Sequence, residues 1–525
     1  MITQQKQQAK QSSVPSANTI KTVPTVRPNI GRLWQQTRKT LKGRFILLAV
    51  CIVIVALVQT VFFAHTFQQV SSDLTTINSG SIPSVDAAQA MAQYIEDIDA
   101  KSADYLATAA LTTTVPCSIV GTAFNPGSLT VHDCDDRNIS AEIVLANQQL
   151  YLAIHNVTYP GERTATERIT AGFQDYMAQI AIMRHEYTLA TTKSNLKDVH
   201  MQNAYKAYLA ANAILTTAIT TKPTVDAAQH YVYDEQNLPV CTINGQNVAP
   251  TVWPLGSIRD NLDCLSSINY THLYAAYNDT TNFLGYTVIL SIIFCLLSCL
   301  LIAGITGYTV TMTHRVVNIG LTLAVLISII FSITSVVLLA QSSGRHGAFG
   351  QMVKDDYDSV YYAALLKKDG TNANADESRW LIAMEFNDQT EVAHWQQDWQ
   401  SNVALVTQLM QRAVNNHTWS EETQPLIDMQ ADWGKYYQID GTIRSAARGG
   451  DIPGAEKIST GVSNATFGTF TDAVDRLSKA NRDHYNSTLN STQGLLSLYI
   501  FLSAILYPLM GLCVVWGISR RLRDF

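Results

Sequence analysis

The sequence predicts an all-α membrane protein: four transmembrane helices, with two extracytoplasmic antiparallel helical bundles continuous with them. Three observations lead there. Four blocks, Phe45–Ala64, Phe283–Tyr308, Val316–Ala340 and Gly494–Ser519, contain no Asp, Glu, Lys or Arg, and each approaches or exceeds the roughly 20 apolar residues that cross a bilayer core as a helix. Lys and Arg crowd Met1–Arg44, Arg315 and Arg520–Arg523, whereas His65–Pro83 has neither. The polar stretches between the blocks keep apolar residues at steps of three and four, the period of an amphipathic helix. Averages over the 525 residues, 47% hydrophobic with net charge −6, conceal this segregation.

The basic excess fixes the expected orientation, because cytoplasmic loops are the Lys/Arg-rich ones. Residues 1–44 read as a disordered basic cytoplasmic tail, poor in apolar groups and suited to an anionic leaflet. Spans are expected at 45–64, 283–308, 316–340 and 494–519. The connection 309–315 is too short for a domain, so the middle spans form a hairpin with a cytoplasmic loop. Residues 520–525 form a second cytoplasmic tail. The outer segments are then 65–282 and 341–493. A cleaved signal peptide is not expected, since the first apolar run starts late and is long.

In the first outer segment Met91, Ile95, Ile98, Ser102 and Tyr105 lie on one helix stripe, with Pro83 near the helix start. Val115–Asp136, rich in Gly and Pro, reads as a loop. Helix resumes at Ser140–Asn156. Ile169, Phe173, Tyr176, Ile180, Met183 and Tyr187 keep the seam spacing of a long bundle helix. Another helix spans Leu196–Thr221, Pro239–Pro254 is a loop, and helix from Ser257 runs on into the second span. The second segment repeats this plan. The third span should continue as polar helix to Lys368, with a turn at Asp369–Asn374. Helices follow around Trp395–Ala413, at Glu421–Ala447 ended by Gly449-Gly450, and at Ile452–Gln493 running into the fourth span. Neither segment alternates like strands, and tandem duplication is the economical account although no identity between the halves is visible.

The cysteines divide by compartment. Cys51, Cys295, Cys299 and Cys513 lie in spans, as small apolar groups. Cys117, Cys134, Cys241 and Cys264 fall in the first outer segment, where disulfides persist. Four cysteines allow three pairings, and closeness in sequence favours Cys117–Cys134 and Cys241–Cys264. A metal site is disfavoured because no short Cys-x-x-Cys knuckle occurs.

A unit of span, long helical bundle and span resembles the extracytoplasmic four-helix-bundle sensor domains of bacterial chemoreceptors and histidine kinases. Ser81-Ile82-Pro83-Ser84 resembles the first helix of such domains, and Ala446–Leu477 with Gly449-Gly450-Asp451-Ile452-Pro453 the turn and last helix. Gly517-Ile518-Ser519-Arg520-Arg521-Leu522 resembles the start of a linker to a cytoplasmic output domain, but the chain ends at Phe525. Two such units in tandem resemble the tetraspan membrane proteins of actinobacterial glutamine-sensing operons associated with protein kinase G. That resemblance implies a link between an extracytoplasmic solute-binding protein and a cytoplasmic kinase. A homodimer is a separate expectation.

Candidate ligand-binding residues are Arg168 and Arg184, beside the Ile169–Tyr187 seam, and Arg444 and Arg448, because arginine pairs with carboxylates bidentately. The competing reading is solvated arginine beside a core stripe. Trp395, Trp399, Trp433, Tyr436 and Tyr437 read as core in preference to pocket walls, and Asn481 and His484 as solvated seam residues. The eight Asn-x-Ser/Thr sequons, at Asn138, Asn156, Asn269, Asn278, Asn416, Asn464, Asn486 and Asn490, match chance for this composition. No nucleophile elbow, phosphate loop or zinc-protease motif occurs, so neither enzyme activity nor a cofactor is expected. The spans lack the buried charges of ion-coupled transport, and basic residues cluster only at the membrane's inner face, which disfavours nucleic acid. The expected function is a membrane sensor or relay, with an adhesion scaffold and then a transporter accessory subunit as alternatives.

Overall fold

The computed structural model describes residues 40–108, 112, 114–123, 125–192, 195–216, 222–223, 241–243, 246–248, 257–314 and 318–523. Nearly all are helical, and four helices are long and apolar enough to cross a membrane. Helix α1, Leu41–Thr76, starts inside the stretch expected to be a disordered tail: Thr40 caps it by accepting from Gly43 N. The rest of that tail, residues 1–39, lies outside the described residues. A π turn, Ile77–Ser81, joins α1 without a break to α2, Ile82–Ala107, with Pro83 in the first turn of α2. Proline fits there because the first amide groups of a helix have no intrahelical acceptor.

The expected loop Val115–Asp136 is a hairpin of β1, Thr114–Cys117, and β2, Gly127–Thr130, followed directly by α3, Val131–His155. The Cys117–Cys134 disulfide ties β1 to the first turn of α3. Next come α4, Glu162–Leu189, and α5, Val199–Thr216. Three short strands, β3 Lys222–Pro223, β4 Cys241–Ile243 and β5 Gln246–Val248, form an antiparallel sheet in that order. Cys264 is disulfide-bonded, and the side chain expected to pair with it, Cys241, lies outside the described residues. The four cysteines of the apolar blocks are free thiols.

Helix α6, Ile258–Thr313, runs from the polar segment before it through the second apolar block in one piece. Helix α7, Ile319–Ser342, does not behave alike. The expected continuous exit to Lys368 is broken at Ser343–Gly347, where Gly344 takes a positive φ of 81°, a conformation glycine adopts at little cost. A π turn, Gln351–Tyr357, then leads into α8, Asp358–Glu385. The expected turn at Asp369–Asn374 is absent: α8 passes straight through it. Then follow α9, Gln389–Asn415; α10, Thr423–Arg448; α11, Ile452–Ile458; and α12, Asn464–Leu522, which contains Pro508.

The apolar parts of α1, α6, α7 and α12 close a ring: α1 packs on α6 and α12, and α7 on the same two. Phe63, Phe331 and Tyr507 meet in its centre, and Gln59 reaches from α1 to Ser298 Oγ on α6 at 2.6 Å. A front lobe comprises α2, α3, α4, α5 and the start of α6, and every residue of the Ile169–Tyr187 stripe is buried in its core. A back lobe comprises α8, α9, α10, α11 and the first half of α12 around Trp399, Trp433, Tyr436 and Phe470. The lobes join chiefly along α2 and α8.

Candidate functional site

The polar chemistry concentrates in two places: an elbow that occurs in both lobes, and the seam where α2 meets α8. In the front elbow, just past α3, Asn156 Nδ2 donates to Gly80 O at 2.6 Å and Ser84 Oγ at 2.7 Å. Glu162 Oε2 accepts from the backbone N–H groups of Thr158 and Tyr159. The Tyr159 hydroxyl meets Ser81 Oγ at 2.7 Å, and its ring stacks on His272 with centroids 3.9 Å apart.

The back elbow rebuilds this set. Asn416 Nδ2 donates to Asp355 O at 3.1 Å and Ser359 Oγ at 2.9 Å. Glu422 Oε2 accepts from Thr418 N at 2.6 Å and Trp419 N at 2.8 Å. Trp419 Nε1 donates to Asp356 at 2.7 Å, and its ring stacks on His484 at 4.4 Å. Burial raises the Glu162 carboxyl, opposed by the Tyr159 and Thr158 N–H groups and then by a hydrogen bond with Asn269, and Asn481 donates to Glu422 Oε1 at 2.7 Å. Each elbow ties the π turn below a lobe to the loop between its second and third helices, so a buried donor set takes up carbonyls that would otherwise be costly to bury.

The correspondence continues along the helices with constant differences in residue number. On α3 and α9 the buried pairs are Ile139/Trp399, Glu142/Asn402, Ala146/Val406 and Leu150/Met410. On α4 and α10 they are Ile169/Met429, Phe173/Trp433, Tyr176/Tyr436 and Met183/Ile443.

At the seam, the fully buried guanidinium of Arg379 on α8 donates to Asp99 at 2.7 Å and Glu96 at 2.9 Å, both on α2, and to Asp376 at 2.7 Å. Arg259, in the first turn of α6, donates to Glu96 at 2.7 Å and to Asn372 at 2.8 Å. Asp99 also accepts from Tyr208 at 3.2 Å and Asn212 at 2.9 Å, and Asp376 from Asn402 at 2.7 Å. Burial alone would raise the Glu96 carboxyl, but the two guanidinium groups hold it below its usual range. Burial outweighs the arginine at Asp376, which is pushed up to about 6. The network links α2, α5, α6, α8 and α9, so no one of these helices can slide without breaking charged hydrogen bonds.

A second buried set follows along α2. Lys101 bridges Asp97 at 2.6 Å and Glu142 at 3.0 Å, and burial pushes Asp104 up to about 6. In the back lobe Glu377 accepts from Ser459 at 2.6 Å and Ser463 at 3.1 Å, and is pushed up to about 8 by burial and then by Asp440.

Of the four arginines singled out in the sequence, the structure brings two together. Arg444 is buried, bonds to Asp440 at 2.8 Å and stacks between Trp380 and Trp399, at 4.8 and 4.4 Å from their ring centroids. Arg448 shares the Gln396 Oε1 acceptor with it. Arg184, at the position matching Arg444, pairs with Asp136 on α3. Arg168 is half-buried on α4, and desolvation lowers its pKa. Trp395, Trp399, Trp433 and Tyr436 are core residues, whereas Tyr437 is exposed. Asn481, expected to be solvated, is fully buried in the back elbow. The seam residues Glu96, Asp99, Arg259 and Arg379 carry no signal in the sequence beyond being charges near apolar stripes. The elbows do carry one: Asn156-x-Thr158-Tyr159-x-x-Glu162 recurs as Asn416-x-Thr418-Trp419-x-x-Glu422, and Asn269-x-x-His272 as Asn481-x-x-His484. No cluster of His, Cys, Asp and Glu suited to a metal occurs among the described residues. Comparison with protein-family models, with curated proteins and with solved structures finds no match to this chain.

Proposed function

We propose that this multi-pass membrane protein is a non-enzymatic sensor or signal relay. In this reading both lobes are extracytoplasmic antiparallel bundles, both termini and the α6–α7 connection face the cytoplasm of a cell whose plasma membrane holds the four spans, and a separate cytoplasmic partner, in class a protein kinase, takes the output. A ligand, or a binding protein loaded with one, acts on the lobes and shifts one helix against its neighbours.

The observation that carries the reading is helix continuity. The first turn of α6 holds Arg259 in the seam network, and the same helix reaches Thr313 beyond the second apolar block. Helix α12 runs likewise from the back lobe to Leu522. Packed helices held by discrete charged bonds switch between arrangements and do not deform smoothly. A change in the seam is therefore felt at the far end of a rod anchored in it. The orientation rests on the basic residues near the expected inner face.

The test uses the full chain in its native membrane. Affinity capture recovers a cytoplasmic kinase, and removing residues 1–39 together with 520–525 abolishes both its recovery and its response to the external stimulus. Retention of both by the truncated chain overturns the relay. Labelling of single cysteines introduced at Ser102 and Thr407 checks the orientation: the two must react from the same, outer side.

A further inference from the structure

We propose that the groove between α1 and α6, at the basic end of the spans, holds one acyl chain of an anionic phospholipid whose phosphate sits at Arg44. The groove measures about 650 Å³, room for about twenty groups at a water's share of roughly 30 Å³ each and so for a long alkyl chain. Its walls are Leu47 and Leu48 of α1 and Leu300 and Leu301 of α6. Gly304 keeps it open: a Cβ at that position would meet nothing within 4 Å.

Three features select the occupant. Arg44 and Tyr308 line one end of the groove. Arg44 directly precedes the charge-free block Phe45–Ala64, and Tyr308 is the last residue of the block Phe283–Tyr308. The rings of Phe45 and Tyr308 lie 5.5 Å apart, so both blocks end at one level. A chain in the groove therefore has its head at the edge of the apolar layer, where an arginine carries its charge out on an apolar stem and meets a phosphate. The sign of charge is the second feature. No acidic residue precedes Asp73, and none lies between Asp279 and Asp355, so the segments forming both walls bring only cations to the head. Basic pockets between spans retain anionic head groups. Third, the Tyr308 hydroxyl has no hydrogen-bond partner among the described residues. An orphaned donor is costly in an apolar layer, and a phosphate or ester oxygen supplies the acceptor. A second groove, between α1 and α12, gives the contrast. It measures about 360 Å³, and its lining, which includes Ile46, Ile54 and Leu522, has no charged side chain. A lipid tail fits there too, but nothing prefers one head to another.

The site does not depend on the sensor reading; only its leaflet, the inner one, follows from the orientation given there. Its test is the melting temperature of the full-length protein in detergent micelles with one of three additions. These are phosphatidylglycerol, phosphatidylcholine with the same chains, and glycerol phosphate, a head without chains. Phosphatidylglycerol is expected to raise the midpoint by about 2 °C or more above phosphatidylcholine at equal concentration, and glycerol phosphate to leave it unchanged. Gly304→Leu fills the groove from α6 and should abolish the difference. Arg44→Gln shortens the stem little and removes the charge, so it should bring the two lipids to one midpoint. Ile54→Phe fills the groove towards α12 and should keep the wild-type difference. Equal midpoints with both lipids in the wild type, or a glycerol phosphate shift as large as that of phosphatidylglycerol, overturns the proposal. So does a difference that survives either Gly304→Leu or Arg44→Gln, and loss of the difference in Ile54→Phe would put the lipid in the other groove.

Discussion

The two lobes share an elbow and a core register but differ in what they bury around it. The front elbow holds Tyr159 against Ser81 and the back elbow Trp419 against Asp356, with a histidine stacked on each ring. The Asn–π-turn and Glu–backbone bonds are the same in both. Matching positions elsewhere have diverged towards complementarity: Asp104 of α2 corresponds to Arg379 of α8, and the Tyr270–Tyr361 stack to the Arg482–Asp86 ion pair. What is repeated serves each half alone. What differs serves the contact between halves, as expected of a duplicated unit whose copies pack on each other.

The largest test of that division is Arg379→Met. It takes the cationic partner from Asp99 and Asp376 and leaves Glu96 with Arg259 alone, and loss of one partner from a buried charged network costs about 3–5 kcal/mol. The matching change Asp104→Asn should cost under about 1 kcal/mol, because a carboxyl raised to about 6 is readily replaced by a neutral amide. Melting of the two purified variants decides it, and equal losses would break the comparison.

Asn156→Ala and Asn416→Ala should each cost about 2 kcal/mol, since each removes at least two part-buried side-chain hydrogen bonds. Equal losses sharpen the claim that the elbows are equivalent; a silent Asn156→Ala would contradict it.

In the membrane ring, a Cβ on Gly320 of α7 would stand 2.6 Å from Cys513 O and 2.7 Å from Gly517 Cα of α12, whereas one on Gly304 of α6 meets nothing within 4 Å. Gly320→Ala should therefore cost about 1–3 kcal/mol by overpacking against backbone, and Gly304→Ala should be neutral or slightly stabilising. Melting in matched nanodiscs separates them.

Stability should also depend on pH, and two buried carboxyls of the back lobe contribute to it. Burial pushes Glu456 up to about 9 and Glu385 up to about 8, against an ordinary 4.5. Between those limits the folded chain holds protons that the unfolded chain releases. Stability is thus full below about pH 4.5 and falls as pH rises towards 8–9, by at most about 1.4 kcal/mol per unit per group. Glu456→Gln should flatten the melting profile between pH 6 and 8. An unchanged slope would show that Glu456 ionises as freely folded as unfolded.

The spans and core stripes were legible in the sequence, since Met91, Ile95 and Ile98 or Phe173 and Tyr176 are set by spacing within one helix. The straight passage of α8 through Asp369–Asn374 was not. Gly370, Asn372 and Asn374 are turn formers by local preference. Here a Cβ at 370 would stand 2.9 Å from the Phe470 ring, Asn372 accepts from Arg259 and Arg379, and Asn374 donates to Asn464 at 3.4 Å. Arg259 and Asn464 on other helices, with Arg379 one turn and more along α8, occupy the groups that would have capped a turn. Among the proposed ligand arginines, Arg444 and Arg448 converge through Gln396, a residue of α9 that their own spacing does not point to.

The sequence by itself determined where the chain enters and leaves the apolar layer and which face of each helix turns inward, because charge-free length and a period of three to four are properties of one segment. Only the tertiary structure decided that α2 and α8 meet over buried ions and which charges pair across the two halves. Those outcomes depend on side chains hundreds of positions apart, such as Glu96 with Arg379 and Asp86 with Arg482, and such pairings leave no periodic trace along the chain.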